Sequence, residues 1–147
     1  MDLGLRDRVA IVAAASRGLG KACALELARE GARVVICARS EADLVATVAE
    51  VREATGAEVR YHVVDLTDDA QIRHLADETH RRYGRIDILV TNNGGPPPGY
   101  FQDLDDAAFH TGHERTLLSA VRLIRSVLPA MRVQGWGRIV NITSISV

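Results

Sequence analysis

Val9-Ala10-Ile11-Val12-Ala13-Ala14-Ala15-Ser16-Arg17-Gly18-Leu19-Gly20-Lys21 decides the fold of this chain. A short apolar run with β-branched residues stops at small residues. Two glycines follow at close spacing, and a helix-forming stretch begins. The pattern is strand, tight turn, helix. Backbone N–H groups at such a helix start are unpaired and point outward, so they suit a phosphate. Gly18 and Gly20 let the main chain approach a ligand where a Cβ would intrude. A two-glycine loop is equally at home in an ordinary tight turn, so the flanking elements must decide.

Working outward, residues 8–14 are the first strand and 18–30 the first helix. Leu19, Ala22, Cys23 and Leu27 share one face of that helix, and Gly31 terminates it. A continuous apolar strand over 34–37 fits a sheet covered on both faces. Ser40 is the N-cap of a helix over 41–54, with Leu44, Val48 and Val51 at helical spacing and Gly56 at its end. Residues 58–64 are a third strand, and 65–67 its carboxyl-end turn. A third helix over 68–83 turns Ile72, Leu75, Ala76 and Thr79 inward and stops at Gly84. A fourth strand covers 86–91. The Asn-, Gly- and Pro-rich stretch 92–99 is a loop. Helix resumes near Asp105, with a break expected near Gly112. Its long piece, 113–133, carries Leu117, Val121, Ile124 and Leu128 on one side. Leu118, Leu123 and Val127 widen that surface, and Pro129 is placed to kink it. Gly135 and Gly137 turn the chain into a fifth strand, 138–142.

Alternating strands and helices with short connections predict an α/β fold, a doubly wound parallel sheet of order 3-2-1-4-5. Ligands of such sheets bind outside the carboxyl ends of the strands. Those ends are the turn after Ala14, Cys37-Ala38-Arg39, Asp65-Leu66, Asn92-Asn93-Gly94-Gly95 and Thr143-Ser144. All five are expected to line one crevice.

The 147 residues suit one domain, and a hydrophobic fraction of 47% suffices for a core. A net charge of −1 with interspersed signs gives no basic block for nucleic acid and no basic amphipathic helix for a membrane surface. No apolar run approaches the roughly 20 residues of a membrane span, and the N-terminus lacks a signal-peptide pattern. Cys23 and Cys37 are expected as reduced thiols in a cytoplasmic protein. No Cys/His spacing suggests a metal.

Taken together, the glycine loop, Asp65 after strand 3, Asn92-Asn93-Gly94-Gly95 after strand 4 and Gly137-Arg138-Ile139-Val140-Asn141-Ile142-Thr143-Ser144 at strand 5 carry a resemblance. From about Leu5 onward the chain resembles the classical short-chain dehydrogenase/reductases, Rossmann-fold oxidoreductases. The resemblance implies that residues 16–20 (Ser16, Arg17, Gly18, Leu19 and Gly20) hold the cofactor's pyrophosphate and adenosine ribose. It implies that Asp65 accepts a hydrogen bond from the adenine amino group, with the Leu66 main chain beside it. Asn92 and Gly94 would lie against the ribose. Ser144 matches the catalytic serine that hydrogen-bonds the substrate oxygen during hydride transfer. The substrate would be a small carbonyl or alcohol, as for a 3-oxoacyl reductase.

Cofactor choice has a physical basis. NAD-preferring sites carry an acid near the end of strand 2 for the ribose 2′-OH. Here Cys37-Ala38-Arg39 offers none before Ser40. A 2′-phosphate is attracted by a guanidinium, and Arg17 and Arg39 are both placed to reach one. NADP(H) is therefore expected over NAD(H).

Three departures from the family pattern stand out. Ala14 occupies the place of the loop's first glycine, which is tolerable if its φ stays negative. Thr116 falls where the family has a structural and proton-relay asparagine. The family's Tyr-x-x-x-Lys motif would follow Ser144 by about a dozen residues, whereas the sequence runs to Val147. Tyr61, Tyr83 and Tyr100 lack a lysine four positions on. The chain is therefore expected to be a single, incomplete NAD(P)-binding domain over residues 1–147, without the family's last strands. Two functions follow: the NADP(H)-binding portion of an oxidoreductase, or a catalytically silent nucleotide-binding or interaction module. The fifth strand's edge and the long helix would be left uncovered, which favours a homo-oligomer.

Overall fold

The computed structural model describes residues 3–144. Strands β1 (Val9–Ala13), β2 (Arg33–Ala38), β3 (Val59–Val63), β4 (Ile88–Thr91) and β5 (Arg138–Asn141) alternate with helices. These are α1 (Gly18–Arg29), α2 (Glu41–Thr55), α3 (Asp69–Tyr83), α4 (Asp106–His113) and α5 (Ser119–Val133). All strand pairs are parallel, in the order β3-β2-β1-β4-β5. The doubly wound sheet is as the alternation predicts, with ends shifted by one or two residues.

The two-residue period of a strand divides the core. Ala10, Val12, Val34, Ile36, Ile88 and Val90 face α1 and α2, where they meet Ala24, Ala28, Leu44, Val48 and Val51. Ile11, Ala13, Val35, Cys37 and Leu89 face α3 and α5, where they meet Ile72, Leu75, Ala76, Leu123, Val127 and Met131. Burial pushes the Cys37 thiol up to about 12, so it is a protonated, apolar packing group.

Helix ends follow the sequence. The Ser40 hydroxyl accepts from Asp43 N–H, and Asp68 and Asp105 cap α3 and α4. Gly56 and Gly84 close α2 and α3 in the left-handed conformation.

Two helical faces differ from expectation. In α1 the buried row is Gly20, Ala24 and Ala28, while Leu19 is 66% exposed. The large residues were expected inward, but the short β1–α1 turn holds the helix so near the sheet that only small side chains fit. In the long helix the row against the sheet is Ser119, Leu123, Val127 and Met131, and Leu117 is 53% exposed. No loop interrupts the chain near Gly112. Instead a π-helical segment, Glu114–Leu118, joins α4 to α5 and rotates the inward face. Helix α5 runs on through Pro129.

At the amino ends of the strands a second feature appears. Asp87, buried just before β4, accepts from Val9 N–H at 2.9 Å, Arg8 at 3.2 Å and Arg85 at 2.7 and 2.6 Å. The Arg8 guanidinium lies 3.9 Å from the centre of the Trp136 ring, and that of Arg138 lies 4.7 Å from it. In sequence, Asp87 resembles any turn aspartate; only its partners, about 80 residues away in sequence for Arg8 and Val9, reveal its role.

Candidate functional site

A crevice of about 400 Å³ opens at the carboxyl ends of the strands. The β1 turn contributes Ala14, Ser16, Arg17, Gly18 and Leu19 to its wall. Arg39 enters after β2, Asp65, Leu66 and Thr67 after β3, and Asn92 and Gly94 after β4. Four of the five expected strand ends thus converge. The fifth does not: Ser144 is exposed beyond β5 and is not part of this wall. The sheet order explains it, because β5 is an edge strand on the far side of β4 from β2 and β3.

Three hydrogen bonds fix the loop that begins the crevice. Ala15 N–H donates to Cys37 O at 3.1 Å. Asn92 Nδ2 donates to Ala14 O at 3.2 Å, and the buried Thr47 hydroxyl of α2 donates to Ser16 O at 2.9 Å. Thr47 gives no signal in the sequence, where it looks like one more helix residue. Gly20 does not touch the crevice. A Cβ there would meet Ala14 O at 2.5 Å and Ala15 Cα at 2.8 Å. The close packing of α1 on the β1 turn leaves no room for a side chain at Gly20.

Ala14 departs from expectation. Its φ is +47°, in the left-handed region, and not negative. An L side chain there is strained. Replacing it with the family's glycine, Ala14→Gly, is therefore expected to raise stability by about 0.5–1 kcal/mol, seen as a higher urea midpoint.

Helix α1 starts at this loop without a side-chain cap and without an acid in its first turn. Its first N–H groups and the positive end of its dipole are left for an anion. Arg17, Arg39 and Arg115 also line the crevice, facing Asp43 and Asp65. Among the described residues none of these three guanidinium groups has a hydrogen-bond or ion-pair partner. Asp65 Oδ1 accepts from Thr67 N–H at 2.9 Å and Thr67 Oγ1 at 2.7 Å. These bonds hold its carboxyl below the usual carboxylate range, and Arg39 and Arg115 reinforce them. The crevice therefore offers a permanent acceptor at the β3 end and surplus cationic donors around it. A ligand with both phosphates and an amino-bearing base fits that donor set. Arg115 was not expected from sequence; it reaches the crevice from the π-helical segment. The neighbouring Thr116 bonds Gly112 O within the helix at 2.7 Å. Among the described residues no cluster of His, Cys, Asp or Glu suits a metal, and no helix is long and apolar enough to cross a membrane.

Comparison with known proteins agrees with this geometry. A family model for short chain dehydrogenases matches residues 8–147. A protein assigned as ketoacyl reductase of the monensin polyketide synthase in Streptomyces virginiae is 39% identical over 140 residues, which are 94% of this chain and 53% of that protein. A Mycobacterium tuberculosis protein named as an NAD-dependent oxidoreductase is 36% identical, over 97% of this chain and 56% of its own length. The L-sorbose reductase of Gluconobacter frateurii, solved with NADPH and L-sorbose, superposes with a TM-score of 0.93 at 31% identity, covering 99% of this chain and 55% of that one. The chain spans about half the length of the curated relatives it matches. With a family match across nearly its whole length and a sheet that superposes on a solved reductase, this chain belongs to the short-chain dehydrogenase family.

Proposed function

We propose that the chain is the NADP(H)-binding portion of an oxidoreductase acting on a small carbonyl or alcohol, of the ketoacyl reductase kind. The observation that carries this is the partnerless set of crevice arginines beside an uncapped helix start. The N–H groups of Gly18 and Leu19 take the pyrophosphate, with Ser16 beside them. Arg17 and Arg39 hold a phosphate on the adenosine ribose, each as a charged donor. Asp65 Oδ2 accepts from the adenine amino group, and the Leu66 main chain borders the base. Asn92 and Gly94 support the ribose. The bound nicotinamide supplies or accepts the hydride. Ser144 hydrogen-bonds the substrate oxygen and orients it. The half-exposed Leu117 side of the long helix supports self-association.

Arg39→Asp tests the cofactor. It is expected to weaken NADPH binding by about 100-fold, equivalent to roughly 3 kcal/mol, and NADH binding by a few-fold at most. Fluorescence titration with both cofactors measures the difference. Equal small losses would remove Arg39 from the site.

A second reading, binding without turnover, has its own observation. Among the described residues no tyrosine or lysine lines the crevice. The Tyr61 hydroxyl donates to Glu41, that of Tyr83 to Glu58, and Lys21, the only lysine of the sequence, pairs with Glu50. NADPH titration combined with an NADPH-consumption assay on a 3-oxoacyl thioester separates the two. Binding with consumption supports the reductase, and binding alone supports the silent module.

A further inference from the structure

The third crevice arginine has no part in the phosphate contacts above. Arg115 lines the crevice together with Asp65, Leu66 and Thr67, and its charge acts on the Asp65 carboxyl through space. Arg115 therefore belongs to the β3 end of the crevice. A neutral planar ring bearing an amino donor suits that end well. The ring would meet the carboxylate at its edge and leave its face to a planar cation.

The helix turn that carries Arg115 is tied to the Asp65 turn. Arg122 Nη1 donates to Thr67 O at 3.1 Å and to Glu114 Oε2 at 2.8 Å. Thr67 in turn grips Asp65. Glu114 immediately precedes Arg115, so this chain of bonds sets where the arginine leaves the helix. Glu114 is occupied by Arg122 and does not neutralise Arg115.

We propose that Arg115 is a specificity-determining residue whose guanidinium stacks on the adenine face of the cofactor. The inference rests on the nucleotide reading of the crevice. The test titrates the purified protein and two variants with 5′-AMP, NADH, NADPH and reduced nicotinamide mononucleotide, which lacks adenine. Arg115→Leu is expected to weaken the three adenine ligands alike, by about fivefold to tenfold, and to leave the mononucleotide unchanged. Arg115→Phe, which stacks without charge, is expected to keep 5′-AMP affinity within about twofold of the original. An unchanged Arg115→Leu overturns the proposal. So does a loss confined to NADPH, which would mean a phosphate contact, or failure of phenylalanine to rescue, which would mean charge alone. If the unaltered protein binds neither 5′-AMP nor NADPH, the nucleotide reading itself fails.

Discussion

Asp87→Ala is expected to lower folding stability by about 3 kcal/mol, the low end of the cost of breaking a buried ion pair. The carboxylate is fully buried and gathers Val9 N–H, Arg8 and Arg85. Removing it strands the Val9 donor inside the protein. The arginines soften the loss, because their side chains are 27% and 42% exposed and can turn to water. Urea unfolding should show a lower midpoint at constant slope. Acid should act in the same direction. Burial pushes the Asp87 carboxyl up, but the bonds from Arg85, Val9 and Arg8 outweigh it, and the net shift is downward. Its contribution is therefore complete above the unfolded value of about 3.9 and is lost as pH falls through the lower folded value. Asp87→Asn should flatten that acid limb; an unaltered limb would mean the carboxylate is dispensable.

Gly20→Ala should destabilise the protein by about 2 kcal/mol and weaken NADPH binding by more than ~10-fold. The added methyl meets Ala14 O at 2.5 Å, Ala15 Cα at 2.8 Å and Asn92 Nδ2 at 2.9 Å. Two of these are backbone atoms, so relief requires the helix or the loop to move. Alanine gains about 1 kcal/mol in helix propensity over glycine, which does not offset that collision. The Asn92 bond to Ala14 O lies in the same contact, so the loop geometry fails together with the packing. Calorimetry of NADPH binding together with urea unfolding checks both effects. Wild-type affinity in the variant would show that the loop shape does not depend on this contact.

These sites also mark what a sequence reveals. The inward rows Leu44–Val48–Val51 and Ile72–Leu75–Ala76–Thr79 were legible because large or branched residues recur at helical spacing. The α1 row was not, because Gly20, Ala24 and Ala28 are chosen for lack of volume, which hydrophobic periodicity does not register. The long helix misled for another reason. A π-helical segment shifts the helical phase, so Leu117, expected inward with Val121, Ile124 and Leu128, is half exposed, and the row through Leu123, Val127 and Met131 meets the sheet instead. Within the crevice, the glycine loop, Asp65 and Asn92 were visible as strand-end residues. Thr47 and Arg115 were not, since each reaches the site from a helix and depends on long-range contact.

The small-residue row of α1 also links distant positions. Gly20 and Ala28 lie roughly 12 Å apart along the helix axis at 1.5 Å per residue. A helix resting on such seats has no slack, so it behaves as a stiff rod laid on a flat bench. Added bulk under Ala28 would tilt the rod and swing its free end relative to the crevice. The strength of the anion grip proposed at Gly18 would thereby be tunable from the far end of the helix, by a change of one or two methyl groups far from the crevice.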